Sequence, residues 1–171
     1  ADKSIAMWTA HEDGPSSLSL RENARHTLSD DVLCAQFTPS AKHFVLGLLD
    51  ATIRIIFIDT HKLVFTLYGH TLPVLAVSAS SDGALLVSGS ADKTVKVWGL
   101  DFGDCHRSLH GHADSVTGVA FVHETHYFFS ASKDHTVGYW DADRFEQILT
   151  LRSHHAEVWK AIPSRTGALL V

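Results

Sequence analysis

Four residue types recur in a fixed order along this chain: His70, Ser88, Asp92 and Trp98, then His112, Ser130, Asp134 and Trp140. Serine, histidine and aspartate can make a nucleophilic hydrolase, in which the imidazole takes the hydroxyl proton and the carboxylate orients the imidazole. An active site is needed once, however, and here every member occurs twice at a constant offset. Duplication favours a structural reading. The expected arrangement is a chain of hydrogen bonds: indole N–H to the serine hydroxyl, serine to imidazole, imidazole to the aspartate carboxylate, so that each buried donor finds an acceptor. A complete network of this kind locks strands together, whereas a half-complete one is costly. No catalytic residue is assigned, and the chain reads as a non-enzyme.

The 13 histidines raise metal chemistry next, with His106, His110 and His112 clustered and His154 beside His155. His112 and His154 hold the repeated position, and no cysteine or carboxylate set completes a four-ligand zinc constellation. Cys34 and Cys105 lie far apart with no paired-cysteine spacing, which argues against a disulfide framework and for a reducing compartment. No metal or cofactor is expected. A net charge of -5 with 19% charged residues lacks the basic excess that phosphate-backbone binding needs, so Lys93, Lys96 and Arg54 read as scattered solvated charges. Neither a signal-peptide run nor about eighteen consecutive apolar residues occurs, so no membrane role is expected. A chain of 171 residues that is 45% hydrophobic can bury a core of ordinary domain size, and it is read as soluble and globular.

The elements that must position these residues follow from the same period. Asp92 to Trp98 recurs as Asp134 to Trp140, and Gly69-His70 recurs as Gly111-His112 and then Ser153-His154. An earlier copy carries Asp50 and Thr52 to Ile56, and Asp2 to Trp8 repeats the signature once more. Within a copy, short apolar runs at Val74 to Val77, Leu85 to Val87, Val95 to Trp98 and Arg107 to Leu109 are separated by turn residues at Ser81-Asp82-Gly83 and Ala91-Asp92-Lys93. That pattern predicts four antiparallel strands per repeat. One such blade cannot bury both faces, so copies must stack around an axis. The expected fold is all-β: a partial β-propeller of four-stranded antiparallel blades. Residues 1–29 would end a blade, 30–69, 70–111 and 112–153 would be full repeats, and 154–171 would start another. The copy around Asp50 has Leu46 for the serine, Ile56 for the tryptophan and Thr27-Leu28 for the Gly-His pair. Joint loss is what the network reading requires, since removing all partners is nearly neutral while orphaning one costs about 1–3 kcal/mol.

Gly-His followed by a tryptophan-terminated strand, with aspartate six residues before the tryptophan, resembles the WD-repeat family. Only Trp140-Asp141 spells the dipeptide; Gly99 follows the tryptophan of the preceding copy and Thr9 that of the first. A narrower likeness rests on Leu67 to His70, Leu72 to Leu75, Trp98 to His106 and Trp140 to Phe145. These stretches resemble the WD-repeat subunits of the UTP-B subcomplex of the small-subunit processome. The resemblance implies a non-catalytic scaffold in ribosome biogenesis and pre-rRNA processing, residing in the nucleolus of the nucleus. It implies other processome WD-repeat subunits as partners, the U-three small nucleolar ribonucleoprotein and pre-rRNA as indirect ones, and no small-molecule substrate. In that family two propellers precede a helical region, so this chain would be a fragment of the second propeller. The generic repeat equally permits a substrate-recruiting adaptor in ubiquitin ligation or signalling. Candidate partner contacts are Leu72 and Pro73, Asp114 and Glu157, which follow the repeat histidines, and Phe102, placed with Cys105 in the connection from Gly99 to His106; loops on rigid scaffolds carry recognition. Uncovered blade edges predict poor solubility of this stretch in isolation.

Overall fold

The computed structural model describes residues 3–14, 17–167 and 170–171; Asp2, which opens the first signature, lies outside them. Every regular element among the described residues is a strand. The chain forms two compact units, Ala1–Val32 and Leu33–Val171.

In the first unit β1 (Ser4–Gly14) and β2 (Ser17–Thr27) pair antiparallel. The hairpin is closed at its open end by the Leu28 N–H, which donates to the Lys3 carbonyl at 2.7 Å, and by the Lys3–Asp30 ion pair at 3.2 Å. With one neighbouring strand instead of two, Trp8 stays 55% exposed.

The rest of the chain forms three four-stranded antiparallel sheets, each strand bonded to its neighbours in sequence. They are β3 (Val32–Phe37), β4 (His43–Leu48), β5 (Ile53–Phe57) and β6 (Leu63–Leu67); β7 (Val74–Ala79), β8 (Leu85–Ser90), β9 (Val95–Gly99) and β10 (Cys105–Leu109); and β11 (Val116–Phe121), β12 (Tyr127–Ser132), β13 (Val137–Asp141) and β14 (Glu146–Leu151). Because strand side chains alternate between faces, the middle blade has two apolar sides. Leu86 and Trp98 pack with Val45, Ile53, Ile55 and Leu67 of the blade before it. Val87, Val95 and Val97 pack with Val119, Phe128 and Trp140 of the blade after it. Both faces of β7, β8 and β9 are thereby largely buried, while most of the outer strand β10 stays exposed; this explains why β8 reads as a continuous apolar and small-residue run. Beyond β14 the chain returns to the third blade, where the Val158 N–H donates to the Ser132 carbonyl at 3.1 Å and the Thr117 hydroxyl donates to the Val158 carbonyl at 2.6 Å.

Two placements differ from those read in the sequence. Cys105 is the first residue of β10, opposite Trp98, and not part of the connection. The turn closes early because the Gly103 N–H donates to the Gly99 carbonyl, with Gly103 in the left-handed region at φ 70°, and the Gly99 N–H donates to the Asp104 carbonyl. Lys96 and Arg54 are half-buried rather than solvated. The Lys96 stem runs beside Gly69 while its ammonium reaches the Ser108 hydroxyl at 3.0 Å, the usual way a long cationic side chain covers apolar surface.

Candidate functional site

Alternating turns put the connections of a blade at opposite ends of its sheet. In the middle blade the β6–β7 connection and the β8–β9 turn share one end, while the β7–β8 and β9–β10 turns share the other. His70 and Asp92 come from the first end, and Ser88 and Trp98 reach it from the paired strands β8 and β9.

The Trp98 Nε1–H donates to Ser88 Oγ at 2.8 Å, Ser88 Oγ lies 2.7 Å from His70 Nε2, and His70 Nδ1 lies 2.8 Å from Asp92 Oδ2. The indole can only donate, which leaves the serine proton free to point to Nε2; in that arrangement His70 is the neutral tautomer that donates from Nδ1 to Asp92. Burial pushes the His70 imidazole below its ordinary value, in keeping with that neutral form. Burial alone would raise the Asp92 carboxyl, but hydrogen bonds from the Thr94 hydroxyl, His70 and the Thr71 N–H outweigh it and hold the group down at about 2. The third blade repeats the geometry: Trp140 Nε1 to Ser130 Oγ at 2.7 Å, Ser130 Oγ to His112 Nε2 at 2.7 Å, and His112 Nδ1 to Asp134 Oδ2 at 3.0 Å. There burial again works upward on Asp134, and bonds from the Thr136 hydroxyl, the Ala113 N–H and His112 bring it to about 2.

The aspartates also build their own turns. Asp92 Oδ1 accepts from the Thr94 N–H and hydroxyl, and Asp134 Oδ1 does the same with Thr136. Lys93 and His135, the residues between, sit at φ 70° and 68°. Ser90 and Ser132, both fully buried, accept from the Asp92 and Asp134 N–H groups and donate to the Leu72 and Asp114 carbonyls, tying turn to connection. The glycine before each histidine leaves room for the indole: a Cβ on Gly69 would lie 3.1 Å from Trp98 Cη2, and one on Gly111 3.0 Å from Trp140 Cη2. Ser90, Thr94, Ser132 and Thr136 were not singled out from the sequence, although they recur at the same offset as the four that were.

Chemically, these chains cannot work as hydrolases. Ser88 and Ser130 are fully buried, and each hydroxyl is already bonded to an indole and an imidazole, leaving no approach for a carbonyl carbon. Cys34 is equally unsuited to nucleophilic work, since burial pushes its thiol up to about 12. Among the described residues no group of three or more histidines, cysteines or carboxylates is placed to hold a metal ion.

The candidate contact residues fall on two faces. Leu72, 49% exposed, Pro73, Asp114 and Glu157 line the end that carries the histidines, where Glu157 pairs with Lys133 at 3.6 Å. Trp159, unforeseen from the sequence and 65% exposed, joins them with its ring 5.0 Å from the Lys133 ammonium. Phe102, 84% exposed, stands on the β9–β10 turn at the opposite end. No single surface of this unit can unite all five.

A family model described as the WDR3 second beta-propeller domain matches residues 1–171. Among curated proteins, WD repeat-containing protein 3 of Homo sapiens is 47% identical over 79 residues, which is 43% of this chain and 8% of that protein. The U3 small nucleolar RNA-associated protein 12 of Saccharomyces cerevisiae is 40% identical over 87 residues, 45% of this chain and 9% of that protein. The matched stretch thus spans less than a tenth of either relative. Among solved structures, one described as the structure of U3-55K superposes with a TM-score of 0.78 at 25% identity, covering 80% of this chain and 44% of that one. The crystal structure of RRP9 WD40 repeats gives 0.77 at 25% identity, covering 80% and 43%.

Proposed function

The chain belongs to the family of WDR3 second beta-propeller domains, and from that premise we propose that it is a non-catalytic scaffold for ribosome biogenesis, acting in pre-rRNA processing within the small-subunit processome. The match along the whole chain carries this reading, supported by a yeast relative whose name associates it with the U3 small nucleolar RNA. Its partners would be the other WD-repeat subunits of the UTP-B subcomplex, its location the nucleolus, and its link to pre-rRNA and the U3 particle indirect. The physical basis is rigidity. Stacked blades, two of them pinned by the repeated hydrogen-bond chain, hold their turns in fixed relative positions, so exposed residues at the turns meet partners with little backbone ordering cost. Leu72, Pro73, Asp114 and Glu157 would form one contact surface and Phe102 part of another, letting one blade array bridge two neighbours. With a net charge of -5, protein surfaces suit this chain better than a phosphate backbone.

The test is affinity purification of the full-length protein from cells, followed by mass spectrometry of its partners and sequencing of co-purified RNA. UTP-B subunits with U3 RNA and pre-rRNA are expected. Recovery of ligase or signalling components instead would overturn the processome reading and favour an adaptor.

A further inference from the structure

At the end of the blades opposite the repeat histidines, one more imidazole is held between two carboxylates. His126, in the β11–β12 turn, has Nδ1 at 2.6 Å from Asp143 Oδ1 in the β13–β14 turn and Nε2 at 3.0 Å from Asp82 Oδ2 in the β7–β8 turn of the preceding blade. The other oxygen of Asp82 is engaged within its own turn, accepting from the Ser80 hydroxyl and the Ala84 N–H. Ionised carboxylates only accept hydrogen bonds, so both ring nitrogens of His126 must donate, and only the imidazolium can do that. His70 differs in having a hydroxyl on one side, since Ser88 can donate to Nε2 and a single donating ring nitrogen then suffices. A second bridge lies alongside, where the Glu124 N–H donates to Ser81 Oγ at 2.9 Å and Ser81 Oγ is 3.1 Å from His123 Nδ1.

Among the described residues this arrangement occurs at one junction. The residues that pin the second and third blades recur with the repeat, but the position of His126 holds Ala84 in the preceding copy. Asp82, Glu124 and His126, with Ser81 and Thr125, line a cleft of about 350 Å³ between the two turns, and His126 is 30% exposed, so protons reach the ring directly. The remaining ionisable groups of these turns are Glu124 with His123, and Asp141 with Arg144, whose guanidinium Nε lies 3.9 Å from Asp141.

We propose that His126 is a pH-sensitive latch between the second and third blades: as an imidazolium it joins the β7–β8 turn to the β11–β12 and β13–β14 turns, and on losing its proton it releases one of them. The hydrogen bond to Asp143, together with that to Asp82, outweighs partial burial and raises the imidazole above its ordinary value, while Asp82, which accepts from the Ser80 hydroxyl, the Ala84 N–H and His126, lies at about 2. The sign follows. A histidine whose folded value is raised contributes fully below its unfolded value near 6.5 and loses that contribution as pH rises through the folded value. Asp82 stays ionised down to about pH 2, so acidification to mildly acidic pH leaves the latch closed.

The experiment is NMR titration of His126 in the intact protein, with the exchange protection factor of the Glu124 amide followed over the same range. The His126 ring should titrate above the ordinary value, and Asp82→Asn and Asp143→Asn should each lower its midpoint. Glu124 protection should fall about two- to fivefold as the ring deprotonates, the scale of a partly exposed ion pair. His126→Arg should keep protection at high pH, and His126→Gln should hold it, without a pH step, at the lower level that the unsubstituted protein reaches at high pH. A midpoint at the ordinary value, or Glu124 protection with the same pH profile in His126→Gln and the unsubstituted protein, would overturn the proposal.

Discussion

The blade β3 to β6 and the blade β7 to β10 share strand order, and both place a left-handed residue after the aspartate of their central turn, Ala51 at φ 66° and Lys93 at φ 70°. In each, the aspartate Oδ1 accepts from the N–H and hydroxyl of a threonine two residues on, Thr52 or Thr94. They differ inside. Where the middle blade has Ser88 and Trp98 bonded to one another and to His70, the earlier one has Leu46 and Ile56, 1% and 5% exposed, and Leu28 at the place of the histidine. The turn and the hydrogen-bond chain are therefore separable devices: the first fixes the β-hairpin, the second ties that hairpin to the connection entering the blade. Losing the chain is tolerated when apolar packing replaces all of its members together.

The comparison is broken most severely by putting one network member where it has no partners. Leu46→Ser removes a buried apolar side chain and leaves an orphan hydroxyl, and should lower the local opening free energy of β4 and β5 by about 3–5 kcal/mol, read by amide hydrogen exchange on the intact protein. The converse change, Ser88→Ala, strands the Trp98 indole N–H and His70 Nε2 and should cost the middle blade about 2–3 kcal/mol, with Ser130→Ala costing the third blade a similar amount. Either effect being negligible would contradict the structural role of the serine.

Asp92→Asn should cost about 1–2 kcal/mol more than Asp50→Asn, because Asp92 also receives the His70 imidazole and the Thr71 N–H. The two blades should also part on acidification. The depressed imidazole of His70 makes stability fall as pH drops below about 6.5, where the unfolded chain takes up the proton first. The Asp92 contribution is complete above its unfolded value near 3.9 and disappears as pH falls through about 2. Hydrogen exchange should show the middle blade losing protection over both steps, and Asp92→Asn should shrink the lower one, to which Asp82, also held at about 2, contributes as well. The smallest effect belongs to the shared turn. Ala51→Gly, freeing a left-handed position, should stabilise its hairpin by about 0.5–1 kcal/mol, and Lys93→Gly should gain less because it surrenders the bond from Lys93 Nζ to the Ala113 carbonyl.

The strands and the eight-residue network were legible because a repeat displays the same constraint several times: what the fold needs at Ser88 it needs again at Ser130. Ser90, Thr94, Ser132 and Thr136 carried the same signal and could have been found by extending the alignment of copies to every polar position. Other features left no periodic trace. Lys96 looks solvent-facing by strand alternation, yet its stem lies against a glycine that has no side chain to exclude it. Cys105 falls in β10 because a left-handed Gly103 tightens the turn before it. The Asp82, His126 and Asp143 bridge depends on how adjacent blades bring distant turns together, and one histidine among 13 gives no hint of that. The two-face division of the contact residues needed sheet-end geometry, which sequence spacing alone does not display.

The central claim is that the histidine, serine and tryptophan act as one unit that can be exchanged whole for apolar residues. It is tested most directly by building the interior of the earlier blade into the middle one, with His70→Leu, Ser88→Leu and Trp98→Ile made singly and together in the intact protein. Local opening free energies of β8 and β9 from hydrogen exchange give the four costs. The account predicts that the triple replacement costs less than the sum of the three single ones, by about 2 kcal/mol or more, since each single change strands partners that the triple change removes. Costs that simply add would contradict it, and would mean that the three residues act independently of one another.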